Sequence, residues 1–407
     1  MTLEMLAAKS GDCLILRCGT AAKPALILID GGPSGVWKDS LHPRLMAIRD
    51  EQKLSDDQAL VIDLLVISHV DDDHINGVIG LLEFIHDRKL NKQPPLFRIK
   101  RIWHNSFDNI LGNDETTKAP RSQFGLASLG SDIEAGLRNH EAGAPRDLQF
   151  IFASIKQGDD VRRLAGALDV PLNPDFGGGL VQGEVGGIAK PINVGGVELI
   201  VVGPLHDELV ALQKAHDAWL KLHPERQADA TKLLAALDDE AVANLSSIVL
   251  LARHKGKTLL LTGDARADLV LEGLEKIGAV DKGGAFSVDI LKMPHHGSIR
   301  NIDADTIARL PASHYAFSGN GRFGNPDRET FDLLFAMRPA APMTMVLSYT
   351  LDDLDRQRER DWEKKREKDP NLPAWNPAKD ALSAVLAPPP SGTTVTQSPG
   401  KFVVIDF

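Results

Sequence analysis

The sequence predicts a mixed α/β (α+β) fold, and three observations carry that expectation. Short apolar runs rich in Val, Ile and Leu recur along the chain and read as strands, some of them buried on both faces. Between them lie stretches whose apolar residues fall at helical spacing, residues 81–90 first among them. Four of the runs end in polar clusters: at Asp30, at Ser68-His69-Val70-Asp71-Asp72-Asp73-His74, at Thr262-Gly263-Asp264, and at Pro294-His295-His296. Layered α/β folds can gather such strand ends along one edge.

Length and composition are permissive. A chain of 407 residues suits two or three average domains, but α/β folds often run past ~200 residues as one. With 43% apolar and 25% charged residues the chain is ordinary for a globular enzyme, and no window reaches the ~18 apolar residues of a membrane span. The first residues lack the basic start and apolar stretch of a signal peptide, so a cytoplasmic protein without a membrane partner is expected. A formal charge of −10 disfavours non-specific adhesion to nucleic acid, although a local basic rim could still hold phosphates.

In chain order, residues 13–18 and 25–29 predict two strands joined by a short loop, the second delivering Asp30-Gly31-Gly32. Cys13 and Cys18 lie in the first strand with side chains on opposite faces, so they cannot pair locally. Residues 37–52, polar and irregular, should cover the site as a loop and helix. Residues 61–67 read as one buried strand ending in the His/Asp cluster, and a helix begins near Asn76. An N-cap needs one Asp and no His, so a capped turn accounts poorly for that cluster. Imidazole with carboxylate instead suits zinc, manganese or iron. Residues 97–103 alternate apolar and basic, a half-exposed strand that delivers His104, either a metal ligand or a hydrogen-bonding residue.

Residues 105–243 hold no compelling catalytic motif and read as a long insertion, with a strand at 196–204 and helices at 207–222 and 228–237. His206, His216 and His223 belong to the first of those helices and its ends. A hairpin follows across Lys255-Gly256-Lys257, its second strand ending at Gly263-Asp264. Further strands are expected at 288–292, 313–318, 344–349 and 401–407, with a solvated charged helix at 352–368 and a turn at 388–392.

His69-x-Asp71-x-Asp73-His74 resembles the first metal motif of the metallo-β-lactamase superfamily, usually His-x-His-x-Asp-His, with Asp71 in place of the second His. That variant is similar to the hydrolase domain of the competence-associated DNA-uptake channel proteins. The similarity runs in order from Gly11-Asp12 through Asp30-Gly31-Gly32, Thr262-Gly263-Asp264-Ala265 and Leu291-Lys292-Met293-Pro294-His295-His296-Gly297-Ser298 to Gly324-Asn325-Pro326. At the last, Asn325 departs from the Gly-His-Pro those relatives tend to show.

The resemblance implies an αββα sandwich, two packed mixed sheets with helices outside and the site along one edge. A hydrolase domain would span 1–350, with the insertion at about 105–243, and 351–407 would complete it with the charged helix and final strand. The resemblance also implies two divalent metal ions. His69 and Asp71 would bind one, Asp73 and His74 the other, with Asp264 bridging and His295 or His296 completing the second set; Asp30 would support the loop from behind. Zn2+ or Mn2+ is expected, with Mg2+ a third candidate, because Asp71 adds a charge and an oxygen donor where a His is usual. Such an ion pair, ~4 Å apart, can share a hydroxide and lower the pKa of water from ~16 towards 7.

Asp73, His295 and His296 are then the residues expected nearest the chemistry. Cleavage of a phosphodiester, in nucleic acid or nucleotide, is the expected reaction, with Lys292, Arg300 and Arg322 as phosphate contacts. Two alternatives stay open. Acidity and the long insertion, which could roof a narrow pocket, suit a hydrolase of a small ester, lactone or thioester. A non-catalytic partner-binding protein that keeps the fold is the other.

Overall fold

A computed structural model describes residues 1–106, 146–185, 190–206, 209, 246–339 and 341–406, with backbone alone over 146–156. In chain order the first strands are β1 (Thr2–Leu6), β2 (Leu14–Thr20), β3 (Lys23–Ile29), β4 (Leu60–Ile62), β5 (Leu64–Ile67), β6 (Phe97–Ile99), β7 (Ile102–His104) and β8 (Ile192–Val194). They are followed by β9 (Val197–Gly203), β10 (Val249–His254), β11 (Lys257–Leu261), β12 (Val288–Lys292), β13 (Ala312–Phe317), β14 (Met343–Leu347), β15 (Thr393–Gln397) and β16 (Phe402–Asp406). The helices used below are α1 (His42–Glu51), α2 (Asp72–Leu90), α3 (Arg146–Ala167), α4 (Ala267–Lys276), α5 (Ala304–Arg309), α6 (Arg328–Met337) and α7 (Leu351–Lys368).

The mixed α/β class is as expected. One sheet has six strands in the order β16-β1-β2-β3-β5-β7, a second has eight in the order β15-β14-β13-β12-β11-β10-β9-β8, and β4 with β6 makes a short third. Period-two alternation decides what each face meets. In β3, Ile27 and Ile29 point inward, where they join Leu64 and Trp103 against Val201, Leu250, Leu261 and Ile290 of the larger sheet. Leu26 and Leu28 point outward, onto Leu45 of α1, Val78 and Leu82 of α2, and Val161 of α3. On the other flank Leu251, Leu260, Leu291 and Phe317 meet Val270 and Leu274 of α4, Ile307 of α5 and Phe331 of α6. The sheets therefore share one apolar layer and carry helices on their outer faces.

Several sequence expectations need adjustment. The run 61–67 is two strands, because Asp63 leaves the ladder: its carboxylate accepts from the Leu26 amide at 3.0 Å and from Lys100 Nζ at 2.5 Å. The run 97–103 breaks at the matching place, between β6 and β7. The segment expected as an insertion supplies core elements, since β9 pairs with β10 and Val161 and Leu164 of α3 pack with α2. The expected helices at 207–222 and 228–237, with His216 and His223, lie outside the described residues apart from Leu209. Residues 37–52 form a turn and α1 that bury Leu41, Leu45 and Ile48 on the outer face of the six-stranded sheet. The final strand returns beside β1, and Lys255 and Gly256 turn the β10–β11 hairpin in the left-handed region. Both cysteines are free, Cys13 buried and Cys18 half-buried. Among the described residues no helix is long and apolar enough to cross a membrane.

Candidate metal centre

The site is assembled at strand ends. β5 delivers Ser68 and His69, and α2 starts at Asp72 with Asp71 extended at its N-cap, so Asp72 and Asp73 sit at the positive end of the helix dipole. Asp30, at the end of β3 with φ 57°, accepts from the Ser68 amide at 2.7 Å and from Ser68 Oγ at 2.6 Å. The glycines after it are required by contact rather than by turn geometry alone. A Cβ on Gly31 would stand 2.3 Å from the Val78 amide nitrogen, and one on Gly77 would stand 1.9 Å from the Gly31 carbonyl oxygen. That close approach seats α2 against the Asp30 loop. Beyond β12, His295 and His296 both adopt left-handed backbone, φ 46° and 56°, which costs non-glycine residues energy.

Four histidines are held in one way. His74 Nδ1 lies 2.9 Å from Asp30 Oδ2, His69 Nδ1 3.0 Å from Ser68 Oγ, His296 Nδ1 2.9 Å from Ser318 Oγ, and His295 Nδ1 3.1 Å from Asn301 Oδ1. Because Ser68 Oγ already donates to Asp30, it accepts from His69; a carboxylate and an amide oxygen likewise accept from His74 and His295. Each of those rings therefore carries its proton on Nδ1, and the same assignment suits His296. Their Nε2 atoms face one another across Asp264: from its carboxylate His74 lies at 3.4 Å, His296 at 3.4 Å, His69 at 3.8 Å and His295 at 3.8 Å. Asp73 stands 3.7 Å from the Nε2 atoms of His74 and His296, and Asp71 3.6 Å from that of His69.

These donors fit a metal on their own chemistry. The Nε2 atoms of His69, His74 and His296 and Oδ1 of Asp264 are buried with no hydrogen-bond partner, although buried polar atoms are normally paired. His69-Asp73-His74 and His74-Asp264-His296 each bring three ligand atoms within 4.8 Å of one another. Asp12, Asp30 and His74 form a third such group, but Asp30 and His74 Nδ1 are already bonded together and Asp12 is paired with Lys292.

The carboxylates that would hold a cation also act on the imidazoles, where a proton and a metal ion compete for the same Nε2 atoms. Burial, with the charge of His74, pulls His69 down to about 3, so its ring is neutral. Burial opposes charge on His74 and His296 too, yet Asp264 with Asp30 outweighs it for His74, and Asp264 with Asp12 for His296, so both are held well above the usual range. Burial likewise opposes ionisation of Asp264, but His296, His74 and His295 hold its carboxyl well below the usual range. The cluster attracts positive charge strongly. Its rim is formed by Asp71, Asp73 and His295, whose side chains are 37%, 29% and 23% exposed.

The remaining expected residues divide. His104 is not brought into these groups: it lies buried in β7 beside Gly158, with both ring nitrogens unbonded. Lys292 was expected to grip phosphate, but it is buried, with Nζ 2.5 Å from Asp12 Oδ2. Its position as the last residue of a buried strand points its side chain inward. Arg300 and Arg322 are exposed. Sequence reasoning gave Asp12 and Ser318 no role; yet Asp12 Oδ1 lies 3.2 Å from His296 Nδ1, beside the Ser318 contact. Gly11-Asp12 was the available signal, since a Cβ on Gly11 would stand 1.7 Å from the Asp73 carbonyl oxygen.

No protein-family model matches the chain, and no curated protein matches it. Among solved structures it is similar to a protein of unknown function from Enterococcus faecalis V583, at 13% identity over 98% of this chain and 76% of that one, with a TM-score of 0.28. A likeness at that score carries no argument.

Proposed function

We propose that the chain is a metal-dependent hydrolase of phosphodiester bonds, built as an αββα sandwich of the metallo-β-lactamase kind. One observation carries the metal reading: buried, unpartnered Nε2 atoms on three anchored imidazoles converge on one carboxylate. Two facing sheets with outer helices, and motifs at strand ends, support the sandwich. The phosphodiester part rests on the motif resemblance. Two divalent ions would supply an activated water and neutralise charge on a phosphoryl oxygen.

His69, Asp71 and Asp264 are the residues for one ion, and Asp73, His74, His296 and Asp264 for the other. Zn2+ or Mn2+ suits the set, and the oxygens of Asp71 and Asp73 leave Mg2+ a candidate. Ser68, Asp30 and Ser318 hold the Nδ1 sides of the rings, so that each Nε2 would turn to an ion in place of a proton. His295, on the rim with its Nδ1 proton held by Asn301, is placed to accept a proton from water at Nε2 and pass it to a leaving oxygen. Arg300 and Arg322, both exposed, are the candidates for phosphate oxygens, whereas Lys292 serves the scaffold.

The test is a parallel assay of single-stranded DNA, RNA, bis(p-nitrophenyl) phosphate, a lactone and a thioester with Mn2+, Mg2+ or Zn2+, beside Asp73→Ala. Phosphodiester turnover that Asp73→Ala abolishes is expected. Turnover of the lactone or thioester alone would overturn the substrate reading, and a metal-loaded protein that turns over nothing would favour a binding protein.

A further inference from the structure

We infer that Phe323, in the loop whose Asn325 reaches His295, is a stacking platform for a nucleobase, so that the substrate is a single-stranded or nucleotide-sized phosphodiester. The inference rests on the phosphodiesterase reading and narrows it. Phe323 adopts φ 62°, a left-handed conformation that glycine fills freely and a bulky side chain does not. Its side chain is 60% exposed, and it is the one aromatic among the exposed large hydrophobics of the described residues. Backbone and side chain are thus both held in states that do nothing for the core, a pattern that points to function rather than stability.

The loop is built to hold the ring there. The Phe323 amide donates to Asp361 Oδ2 of α7 at 2.8 Å, and the buried Arg358 of the same helix donates to the carbonyls of Gly324 and Pro326. The loop is also tied to the metal centre. Asn325 Nδ2 lies 3.4 Å from the His295 carbonyl, the Asp327 amide donates to the Gly297 carbonyl at 3.1 Å, and a Cβ on Gly319 would stand 3.3 Å from His296 Cβ. Arg322 places its guanidinium 4.6 Å from the Phe323 ring centroid. An aromatic face backed by a cation, on a loop tied to a candidate site for phosphoryl chemistry, suits a base and its neighbouring phosphate. Bases in a duplex are already stacked, which restricts the fit to unpaired ones.

The experiment compares a short fluorescent single-stranded oligodeoxynucleotide with an abasic strand of equal length and charge, on metal-loaded wild type, Phe323→Gly and Phe323→Trp. Glycine suits φ 62°, so Phe323→Gly should melt no lower than wild type. Anisotropy should show Kd for the base-bearing strand about 10-fold weaker in Phe323→Gly and retained in Phe323→Trp, with the abasic strand bound equally by all three. Equal Kd in wild type and Phe323→Gly, or equal weakening for both strands, would overturn the platform. Cleavage is scored separately on gels: failure of wild type to cut either strand counts against the phosphodiesterase reading, whatever the binding shows.

Discussion

Lys292 Nζ and Asp12 Oδ2 meet at 2.5 Å, with both side chains at most 2% exposed, and the other Asp12 oxygen lies 3.2 Å from His296 Nδ1. Burial opposes charge on Asp12, but Lys292 and His296 outweigh it and hold the carboxyl well below its usual range. The pair thus fixes the underside of the candidate metal centre and leaves Lys292 no exposed charge. Removing one partner of a buried ion pair leaves an uncompensated charge and costs about 3–5 kcal/mol. Lys292→Met should therefore lower unfolding stability by an amount of that order in denaturant titration, and Asp12→Asn/Lys292→Met should recover part of it. A Lys292→Met protein of wild-type stability with a raised KM would instead return Lys292 to phosphate binding.

Asp264 is within 3.8 Å of all four histidine Nε2 atoms, so its loss should empty the centre more than loss of any single rim group. Wild type is expected to hold two divalent ions per chain by elemental analysis, and Asp264→Ala at most one. Mn2+ or Zn2+ should raise the melting temperature of wild type, since ligands that bind only the folded state stabilise it, and should raise that of Asp264→Ala much less. Two ions in the variant would overturn the central role of Asp264.

Much of this was legible because each motif follows an apolar run whose end the fold must bring to an edge. His69, Asp73, His74, Asp264 and His296 come together as the motif order implies, and which of His295 and His296 joins His74 and Asp264 is decided by tertiary packing that no spacing encodes. Asp63 was hidden for a different reason: one polar residue inside an apolar run reads as tolerance, whereas here it marks a change of sheet. β15, Thr393–Gln397, was missed because a polar edge strand lacks the apolar signature, and β1 because the first residues were read only for a signal peptide. Lys292 was misplaced because a charge beside ligands suggests substrate, while strand parity put it inside.

His104 is buried and held down to about 3, by burial first and then by Arg162. Its folded value lies below the unfolded value of ~6.5, so both states are neutral above that pH and no stability is lost there. As pH falls from ~6.5 towards 3 the unfolded chain takes up a proton that the fold refuses, and stability drops by about 1.4 kcal/mol per pH unit at most. His104→Leu should remove that contribution, giving a shallower loss between pH 6 and 4 in denaturant titrations. Parallel curves for variant and wild type would show that His104 is satisfied, by a bond or a ligand, in the protein as purified.

The adjoining histidines make the last prediction, because strain and chemistry oppose each other there. His295 at φ 46° and His296 at φ 56° each occupy backbone that costs a non-glycine residue about 1 kcal/mol, and a glycine would relieve it. Against that relief, His295→Gly loses the contact from Nδ1 to Asn301 Oδ1 at 3.1 Å, itself worth about 1 kcal/mol. Unfolding stability should therefore stay within about 1 kcal/mol of wild type. Activity should not. A rim imidazole that transfers a proton contributes roughly 100-fold or more, so His295→Gly is expected to lose activity on that scale while keeping its ions. His296→Gly should lose activity and an ion together, because its Nε2 sits with His74 and Asp264. Metal content by elemental analysis, denaturant midpoints and phosphodiesterase rate on the same preparations separate the two roles. An ion lost from His295→Gly and kept by His296→Gly would reverse the assignment, and full activity in His295→Gly would leave its strained backbone without a catalytic explanation.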